Sequence, residues 1–282
     1  MSAEGPVLVT GGAGMVAGWL VRTAPPGLDL VVTERRSPVP DDVRAAAAVR
    51  PVELTDQDAV AALVADVGPR VVVHAAYSMT ERADVVDATA AVARACAATG
   101  TALVHLSTDV VFGGDRPPYA EDDPAAPVSD YGRWKAEAER IVVDAVPDAA
   151  ITRTSLVVSL HPPDPATASL AGALAEGRTV RLFRDEWRQP IRAEDLAAEL
   201  WALLALPRAD RAGIWHLPGP ERLSRLELGL RVAVASGLDA STIESASAAD
   251  HPTPRPRDLA MVAGRRTALG VVLRPVAGDS GA

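Results

Sequence analysis

Tyr131 and Lys135 are the first residues of this chain whose types and spacing point to chemistry. They lie four positions apart in "DYGRWKAEAER", a stretch with helical spacing, so both side chains project from one face of a helix. A free tyrosine has a pKa of about 10, and a nearby ammonium lowers that pKa because it stabilises the phenolate. The pair therefore predicts a tyrosine that exchanges a proton near neutral pH.

Lys135 is also the only lysine among 28 lysines and arginines. An ammonium is compact and can hydrogen-bond ribose hydroxyls, where a wide, planar guanidinium would need different space. We interpret the lone lysine as a group that hydrogen-bonds a ribose and also lowers the pKa of the tyrosine. The alternative is an exposed helix lysine beside a half-buried tyrosine.

A glycine-rich turn, "TGGAGMVAG", follows the first apolar stretch of the chain. Gly11, Gly12 and Gly14 would let the backbone turn tightly and approach a pyrophosphate. The helix that begins near Met15 and Val16 would offer free N–H groups and the positive end of its dipole. This order of strand, glycine turn and helix predicts a dinucleotide site.

The second apolar stretch ends in "VVTERR", where the ribose of a bound adenosine would lie. Glu34 could accept hydrogen bonds from the ribose hydroxyls, which favours NAD. Arg35 or Arg36 could pair with the 2′-phosphate of NADP. We expect both cofactors to be accepted, with a slight preference for NADPH, and a solvated charge cluster is the alternative.

The elements that must position these residues follow from the apolar pattern. Strands are predicted at 5–10, 28–33, 70–76, 101–108 and 149–157, and helices at 56–66, 81–99 and 129–146. Apolar strands that alternate with helices indicate an α/β fold with a doubly wound parallel sheet. Ligands bind at the carboxyl ends of such strands, so Thr108 and Asp109, which end the fifth strand, are further candidates for the site.

The composition restricts the class of partner. Of 282 residues 48% are hydrophobic, and the net charge is −9, so we expect neither nucleic acid nor an anionic membrane as a partner. The single cysteine, Cys96, excludes an internal disulfide and a thiolate metal cluster, and no metal is expected. The first residues lack a leader pattern and no apolar run has membrane-spanning length, which predicts a cytoplasmic protein. Homodimer formation is the one protein partnership that these observations leave as an alternative.

Longer stretches resemble a known family. They are "TGGAGMVA", "LTD", "HAAY", "STDVVFGGDRPPYAEDDPAAPVSDYGRWKAEAE" and "RPRDLAM". The chain resembles the extended short-chain dehydrogenases/reductases and is most similar to the dTDP-4-dehydrorhamnose reductase family. The resemblance runs through nearly the whole chain and is most specific over 1–157.

The resemblance implies a Rossmann fold over 1–160 and a smaller substrate-binding region over 161–282, part of which returns to the core. It implies that Tyr131 protonates a carbonyl oxygen, that Thr108 hydrogen-bonds this oxygen, and that Lys135 holds the nicotinamide ribose. Further residues are implied along the cofactor path and near its nicotinamide end: His74, Ala75, Ala76, Tyr77 and Arg153–Ser155. From the residues alone, His74 and His105 are interpreted as ordinary strand residues of the core.

The chain departs from the family pattern in two places. It has no asparagine, although many short-chain reductases use one in the fourth helix for proton relay, and Asp87 or Thr89 lies nearby instead. Where the family has a "DQxGxPT"-like stretch, this chain has "DEWRQPI". Trp187 could stack on a base or sugar, and an arginine could bind a diphosphate. The candidate arginines are Arg188, Arg192, Arg255 and Arg257.

These observations predict an NAD(P)H-dependent reductase of a keto group, with a 4-keto sugar nucleotide as substrate and Tyr131 as the general acid. A sugar-nucleotide epimerase or dehydratase is an alternative, and it would show no net consumption of cofactor. A non-catalytic NAD(P)-binding regulatory subunit is another, although such a protein would not need the acid.

Overall fold

The structure is a computed structural model that describes residues 5–276. Residues 1–4 of the predicted Rossmann region and residues 277–282 of the predicted substrate-binding region lie outside it. Its strands are β1 (Val7–Thr10), β2 (Leu30–Glu34), β3 (Ala48–Pro51), β4 (Val71–His74), β5 (Ala102–Thr108), β6 (Ala150–Thr154), β7 (Val157–Val158), β8 (Val180–Phe183), β9 (Trp187–Arg188), β10 (Ile191–Arg192), β11 (Gly213–Leu217), β12 (Leu223–Ser224) and β13 (Ile243–Ala246). Its helices are α1 (Met15–Arg22), α2 (Asp41–Ala46), α3 (Gln57–Val67), α4 (Val86–Thr99), α5 (Asp130–Ala145), α6 (Pro165–Ala175), α7 (Ala193–Ala205), α8 (Arg208–Arg211) and α9 (Arg225–Ala235).

Seven parallel strands form the main sheet in the order β11-β6-β5-β4-β1-β2-β3. Helices α1 and α7 pack together on one face, and α3, α4 and α5 pack in a row on the other. The strand order reverses between β1 and β4, and this is where a doubly wound sheet opens its ligand crevice. The predicted doubly wound α/β fold is confirmed.

Alternation along the buried strands explains the two covered faces. Val7 and Val9 of β1 belong to the core under α1 and α7, whereas Leu8 belongs to the core under α3 and α4. Side chains of a strand point alternately to opposite faces, so a run of apolar residues fills both layers. Two layers of helices therefore follow directly from the valine-rich strands.

Two strands of the main sheet were not predicted. Strand β3 lies at the sheet edge and is largely exposed, so its residues lack an apolar pattern. Strand β11 has five residues, and its place in the sheet is set by pairing with β6, more than 60 residues earlier in the chain. The chain after residue 160 thus adds a strand to the main sheet and also forms the small pairs β8–β13 and β9–β12. Within 5–276, no helix is both long and apolar enough to cross a bilayer.

Candidate functional site

The glycine turn between β1 and α1 has the geometry of a phosphate cradle. Gly11 has φ +77°, and a Cβ there would lie 2.9 Å from the Cα of Ala76, so only glycine fits. The Gly14 N–H donates to the Gly11 carbonyl at 2.7 Å and closes the turn. Met15 and Val16 follow in the first turn of α1, where backbone N–H groups have no partner within the helix. These N–H groups are available to an anion.

A cavity of about 200 Å³ adjoins this turn. Eight of the predicted cofactor residues line it: Gly11, Gly14, Glu34, Arg35, Arg36, Ala75, Ala76 and Tyr77. The other four predicted cofactor residues, Gly12, Met15, Val16 and Lys135, do not line the cavity itself. The cavity thus joins the end of β1, the end of β2 and the loop after β4 at the switch point of the sheet.

The Glu34 carboxylate at the end of β2 is already engaged. It accepts a hydrogen bond from the backbone N–H of Val39 at 2.7 Å and another from Arg44 Nη2 at 2.5 Å. A ribose could still reach its exposed fraction, although it would have to share the carboxylate with Arg44. Glu34 therefore shapes the cavity wall and also closes the loop that follows β2.

The two arginines beside Glu34 differ in their contacts. Arg35 donates to both carboxylate oxygens of Asp84, at 2.6 and 2.7 Å, and to Glu53 at 3.1 Å. The hydrogen bonds from Arg35 lower the pKa of Asp84. Arg36 is exposed and makes no hydrogen bond or ion pair with the residues that the structure describes. Arg36 is thus the cation with donors free for a 2′-phosphate.

Helix α5 brings the predicted tyrosine and lysine to the carboxyl end of β5. Ser129 caps the helix, because its hydroxyl accepts from the Gly132 N–H at 3.1 Å, and Tyr131 therefore stands in the first turn. A Cβ at Gly132 would overlap the carbonyl oxygen of Val110. Gly132 thus allows α5 to approach the turn after β5 closely, and sequence reasoning missed this residue. Thr108 lies on that turn, and its hydroxyl accepts from the Val110 N–H at 3.3 Å.

The electrostatics of the tyrosine and the lysine differ from expectation. Lys135 is only 3% exposed, and burial lowers its pKa to about 8, while Glu139 acts in the opposite direction. The pKa of Tyr131 is raised, first by burial and then by the neighbouring Tyr77 and Asp109. The prediction that Lys135 lowers the pKa of Tyr131 is therefore wrong for this arrangement. The phenol is therefore protonated at neutral pH, and its raised pKa makes it a weaker proton donor than the sequence argument expects.

The ammonium of Lys135 is held by β5. Its Nζ donates to the Leu106 carbonyl at 2.5 Å and lies 3.2 Å from Nε2 of His105. His105 in turn packs against His74 on the neighbouring strand, with ring centroids 5.4 Å apart. Both histidines are fully buried, as a core role predicts, but His105 also touches a predicted catalytic group.

The two residues that replace the missing asparagine lie in different surroundings. Thr89 is buried on α4, where its hydroxyl donates to the Val85 carbonyl and lies 3.1 Å from Nε2 of His74. Asp87 is exposed and lies 3.7 Å from Arg82. Thr89 is therefore the member of the pair that joins the polar interior of the site.

A buried ion pair lies on α5 one turn beyond Lys135. Arg153 of β6 donates to both oxygens of Glu139 on α5, at 3.0 and 2.8 Å, and Ser107 of β5 also donates to this carboxylate. The arrangement turns Arg153 toward α5 and away from solvent. The predicted place of Arg153 at the nicotinamide end is not evident in these contacts.

Asp109 and Arg188, two predicted substrate residues, contact each other in the interior. Ser155 donates to Asp109 at 2.6 Å, and Nε of Arg188 lies 3.8 Å from the same carboxylate oxygen. Burial raises the pKa of Asp109. Arg188 is 4% exposed and donates to the carbonyls of Trp187 at 2.8 Å and Pro256 at 3.2 Å. A direct contact of either side chain with substrate would require rearrangement.

Glu186 extends this cluster, and sequence reasoning missed it. Its buried carboxylate lies 3.3 Å from Arg188 and 3.9 Å from Arg225, and it accepts from Arg255 at 3.1 Å. The partners come from three separate segments of the chain, so no local pattern reveals them. Trp187 lies on the rim of the cluster with the guanidinium of Arg222 stacked 4.1 Å from its ring centroid.

Comparisons with known proteins agree with this architecture. The family model described as RmlD substrate binding domain matches residues 5–275. A dTDP-4-dehydrorhamnose reductase of Mycolicibacterium smegmatis is 33% identical over 216 residues, which span 73% of this chain and 65% of that relative. A probable dTDP-4,6-dihydroxy-2-methyloxan-3-one 4-ketoreductase of Streptomyces antibioticus is 32% identical over 281 residues, 95% of this chain and 90% of the relative. A solved structure, a hypothetical dTDP-4-dehydrorhamnose reductase from Sulfolobus tokodaii, has a TM-score of 0.80 at 25% identity and covers 93% of both chains.

Proposed function

Because the chain belongs to the RmlD substrate binding domain family, we propose that it is an NAD(P)H-dependent reductase of a keto group, with a 4-keto sugar nucleotide as substrate. One observation carries the proposal. The buried Lys135 on α5 contacts β5, and Tyr131, one turn earlier on the same helix, has its ring centroid 6.2 Å from that of Tyr77, which lines the cavity beside the glycine turn. This arrangement fits carbonyl reduction and does not need a metal ligand set.

We assign the catalytic roles to Thr108, Tyr131 and Lys135. A bound dihydronicotinamide would supply a hydride to the carbonyl carbon. Tyr131 donates its phenolic proton to the carbonyl oxygen as negative charge develops there. The Thr108 hydroxyl hydrogen-bonds the same oxygen and orients the ketone, while Lys135 directs its free N–H toward the ribose of the cofactor.

Cofactor binding would use the glycine turn and the cavity beside it. The backbone N–H groups at Met15 and Val16 would hold the pyrophosphate, and the loop of Ala75–Tyr77 would cover the path toward the nicotinamide. Arg36 supports a slight preference for NADPH, since its guanidinium is free where that of Arg35 is bound to Asp84.

Recognition of the nucleotide-linked sugar would fall mainly to the chain after residue 160. Trp187 stands at the rim with its face available for stacking, apart from the side that Arg222 covers. Asp109 and Arg188 would act through their neighbours, because their contacts hold Thr108 and Trp187 in place. We also propose that the enzyme has neither nucleic-acid nor membrane partners, since the net charge is −9, and that it works in the cytoplasm, as the sequence predicts. Homodimer formation is a prediction that sedimentation of the purified chain would decide.

The experiment that tests this proposal is a screen of nucleotide-linked 4-keto sugars with NADH and NADPH. We expect one reduced sugar for each cofactor oxidised, measured by loss of dihydronicotinamide absorbance and by mass spectrometry of the product. An epimerised or dehydrated product without net cofactor consumption would contradict reduction. Tight cofactor binding without turnover of any keto sugar would favour a regulatory subunit.

A further inference from the structure

His105 lies in the middle of β5, fully buried, and is the side chain that meets the Lys135 ammonium from the sheet. An ammonium has three N–H donors. The Leu106 carbonyl takes one at 2.5 Å, and the His105 ring stands 3.2 Å away for a second. With two donors fixed by adjacent residues of one strand, the direction of the third is determined.

The contact also fixes the state of the imidazole. Because an ammonium cannot accept a hydrogen bond, Nε2 of His105 must present its lone pair, and the ring proton must be on Nδ1. Burial and the charge of Lys135 both lower the pKa of His105, so the ring is neutral. Its Nδ1 has no hydrogen-bond partner among the described residues. An apolar side chain would avoid this buried unpaired group, so packing alone does not explain a histidine here.

His74 holds the His105 ring from the other side. The Thr10 hydroxyl accepts from the backbone N–H groups of Ala75 and Ala76, each at 3.1 Å, so its own proton goes to Nδ1 of His74 at 2.8 Å. Nε2 of His74 then donates to Thr89 at 3.1 Å. This neutral, fully bonded ring packs against His105 at a tilt of 34° and links the position of His105 to the loop that lines the cofactor cavity.

We propose that His105 is a positioning residue for the reaction: its neutral imidazole and the Leu106 carbonyl anchor two N–H donors of Lys135, so that the third points to the cofactor ribose and the reacting centre. The inference rests on the proposed function for its catalytic consequence, but the contact itself has a readout that needs no turnover. The acceptor at Nε2 stabilises the charged form of Lys135, and removal of the acceptor favours the neutral amine.

The other charged or titratable groups around Lys135 are Tyr131 and Glu139 on α5, His74 on β4, and Arg153 on β6, which is paired with Glu139. Glu139 raises the pKa of Lys135, and its pair with Arg153 makes no hydrogen bond with His105. His74 is neutral, and its two nitrogens are bonded elsewhere. Replacement of His105 therefore changes one interaction of the ammonium and leaves its charged neighbours in place.

The single lysine makes the direct test possible. Protein produced with ¹⁵N- and ¹³C-labelled lysine and a lysine-free tag gives one side-chain amine signal, whose shift against pH reports the pKa of Lys135. His105→Leu, with His105→Met as a second apolar replacement, should lower this pKa by about one pH unit, as loss of one charge-assisted hydrogen bond predicts. His105→Gln keeps an acceptor near Nε2 and should restore the wild-type value. The titration is done with and without saturating NADPH.

Kinetics give the second readout. We expect kcat for ketone reduction to fall about 10- to 100-fold in His105→Leu with little change in KM, because a catalytic group is displaced. The alkaline limb of the pH profile should move to lower pH, and His105→Gln should recover most of both effects. His216→Leu is the control, since His216 is an equally buried strand histidine with an unpaired nitrogen outside the site.

The outcomes separate the two proposals. A wild-type protein that reduces no keto sugar would end the proposed function, yet the lysine titration would still test the contact. An unchanged Lys135 pKa in the folded apolar variants, or a His105→Gln variant as impaired as His105→Leu, would overturn the role given to His105.

Discussion

Lys135 occupies a slot between the Leu106 carbonyl and the His105 ring that suits an ammonium and not a guanidinium. Lys135→Arg keeps the charge, but the wide planar group cannot use the same two acceptors and still reach the ribose. We expect turnover with a keto sugar to fall by about 10²- to 10⁴-fold in steady-state assays. Arg140→Lys, an exposed change on the same helix, should have no effect. Near-normal turnover of Lys135→Arg would show that this lysine has no special role.

At the same scale, the contacts of Arg35 and Arg36 separate their roles in cofactor choice. Arg36→Glu should weaken NADPH binding more than NADH binding, by roughly 1 to 3 kcal/mol, if the free guanidinium meets the 2′-phosphate. Calorimetry with both cofactors measures the difference. Arg94→Glu, an exposed reversal on α4, controls for the change in net charge. Equal losses for the two cofactors would remove Arg36 from the 2′-phosphate.

Among elements, the close approach of α5 to the turn after β5 depends on Gly132. Alanine there has no room, because its Cβ would overlap the Val110 carbonyl. Gly132→Ala should therefore move α5 and Tyr131 away from Thr108 and lower kcat by about 10²-fold, although alanine favours helices. Assays of kcat and thermal melts check this. Gly172→Ala on α6, where the added Cβ meets nothing, should stabilise the protein by about 0.5 to 1 kcal/mol. A Gly132→Ala variant with wild-type kcat would contradict the account.

The elements also show where sequence reasoning succeeds and where it stops. The spacing of Tyr131 and Lys135 and the strand end at Thr108 are local patterns that the sequence shows directly. Helix α5 packs against β5 and the turn after it, and the joint role of these three residues in catalysis stays a prediction. The role of His105 depends on which side chain of α5 lies over which residue of β5. The cluster around Glu186 joins segments far apart in the chain. Strands β3 and β11 were missed because edge exposure and long-range pairing, rather than an apolar period, define them.

For the molecule as a whole, the buried histidines predict how stability depends on pH. Burial and the charge of Lys135 lower the pKa of His74 to about 3, against 6.5 for the free side chain. Below pH 6.5 the His74 side chain is therefore protonated in the unfolded chain but not in the folded chain. The free energy of unfolding falls as the pH falls below 6.5. We expect a loss of roughly 2 to 3 kcal/mol from this residue between pH 6.5 and 4.5. Denaturant unfolding at several pH values measures it.

A variant isolates this contribution from those of other groups. Asp109 and Glu199 stabilise the folded protein as the pH falls, because burial raises their pKa values. Carboxylates with a lowered pKa, such as Asp84, add to the loss of stability at lower pH. His74→Gln carries no titrating ring, so its stability should vary less between pH 6.5 and 4.5. Identical pH slopes for the wild type and this variant would contradict the burial of a neutral His74.

In the proposed mechanism, Tyr131 gives the proton that completes reduction of a carbonyl. The most direct measurement is single-turnover reduction of the accepted keto sugar by NADPH-saturated Tyr131→Phe, followed by loss of dihydronicotinamide absorbance. Tyr119→Phe removes a hydroxyl that binds only the loop N–H groups and Asp115, and it should keep normal turnover in the folded protein. We expect Tyr131→Phe to fold, to bind NADPH normally and to reduce the substrate about 10²- to 10⁴-fold more slowly. Reduction at a near-normal rate would contradict it.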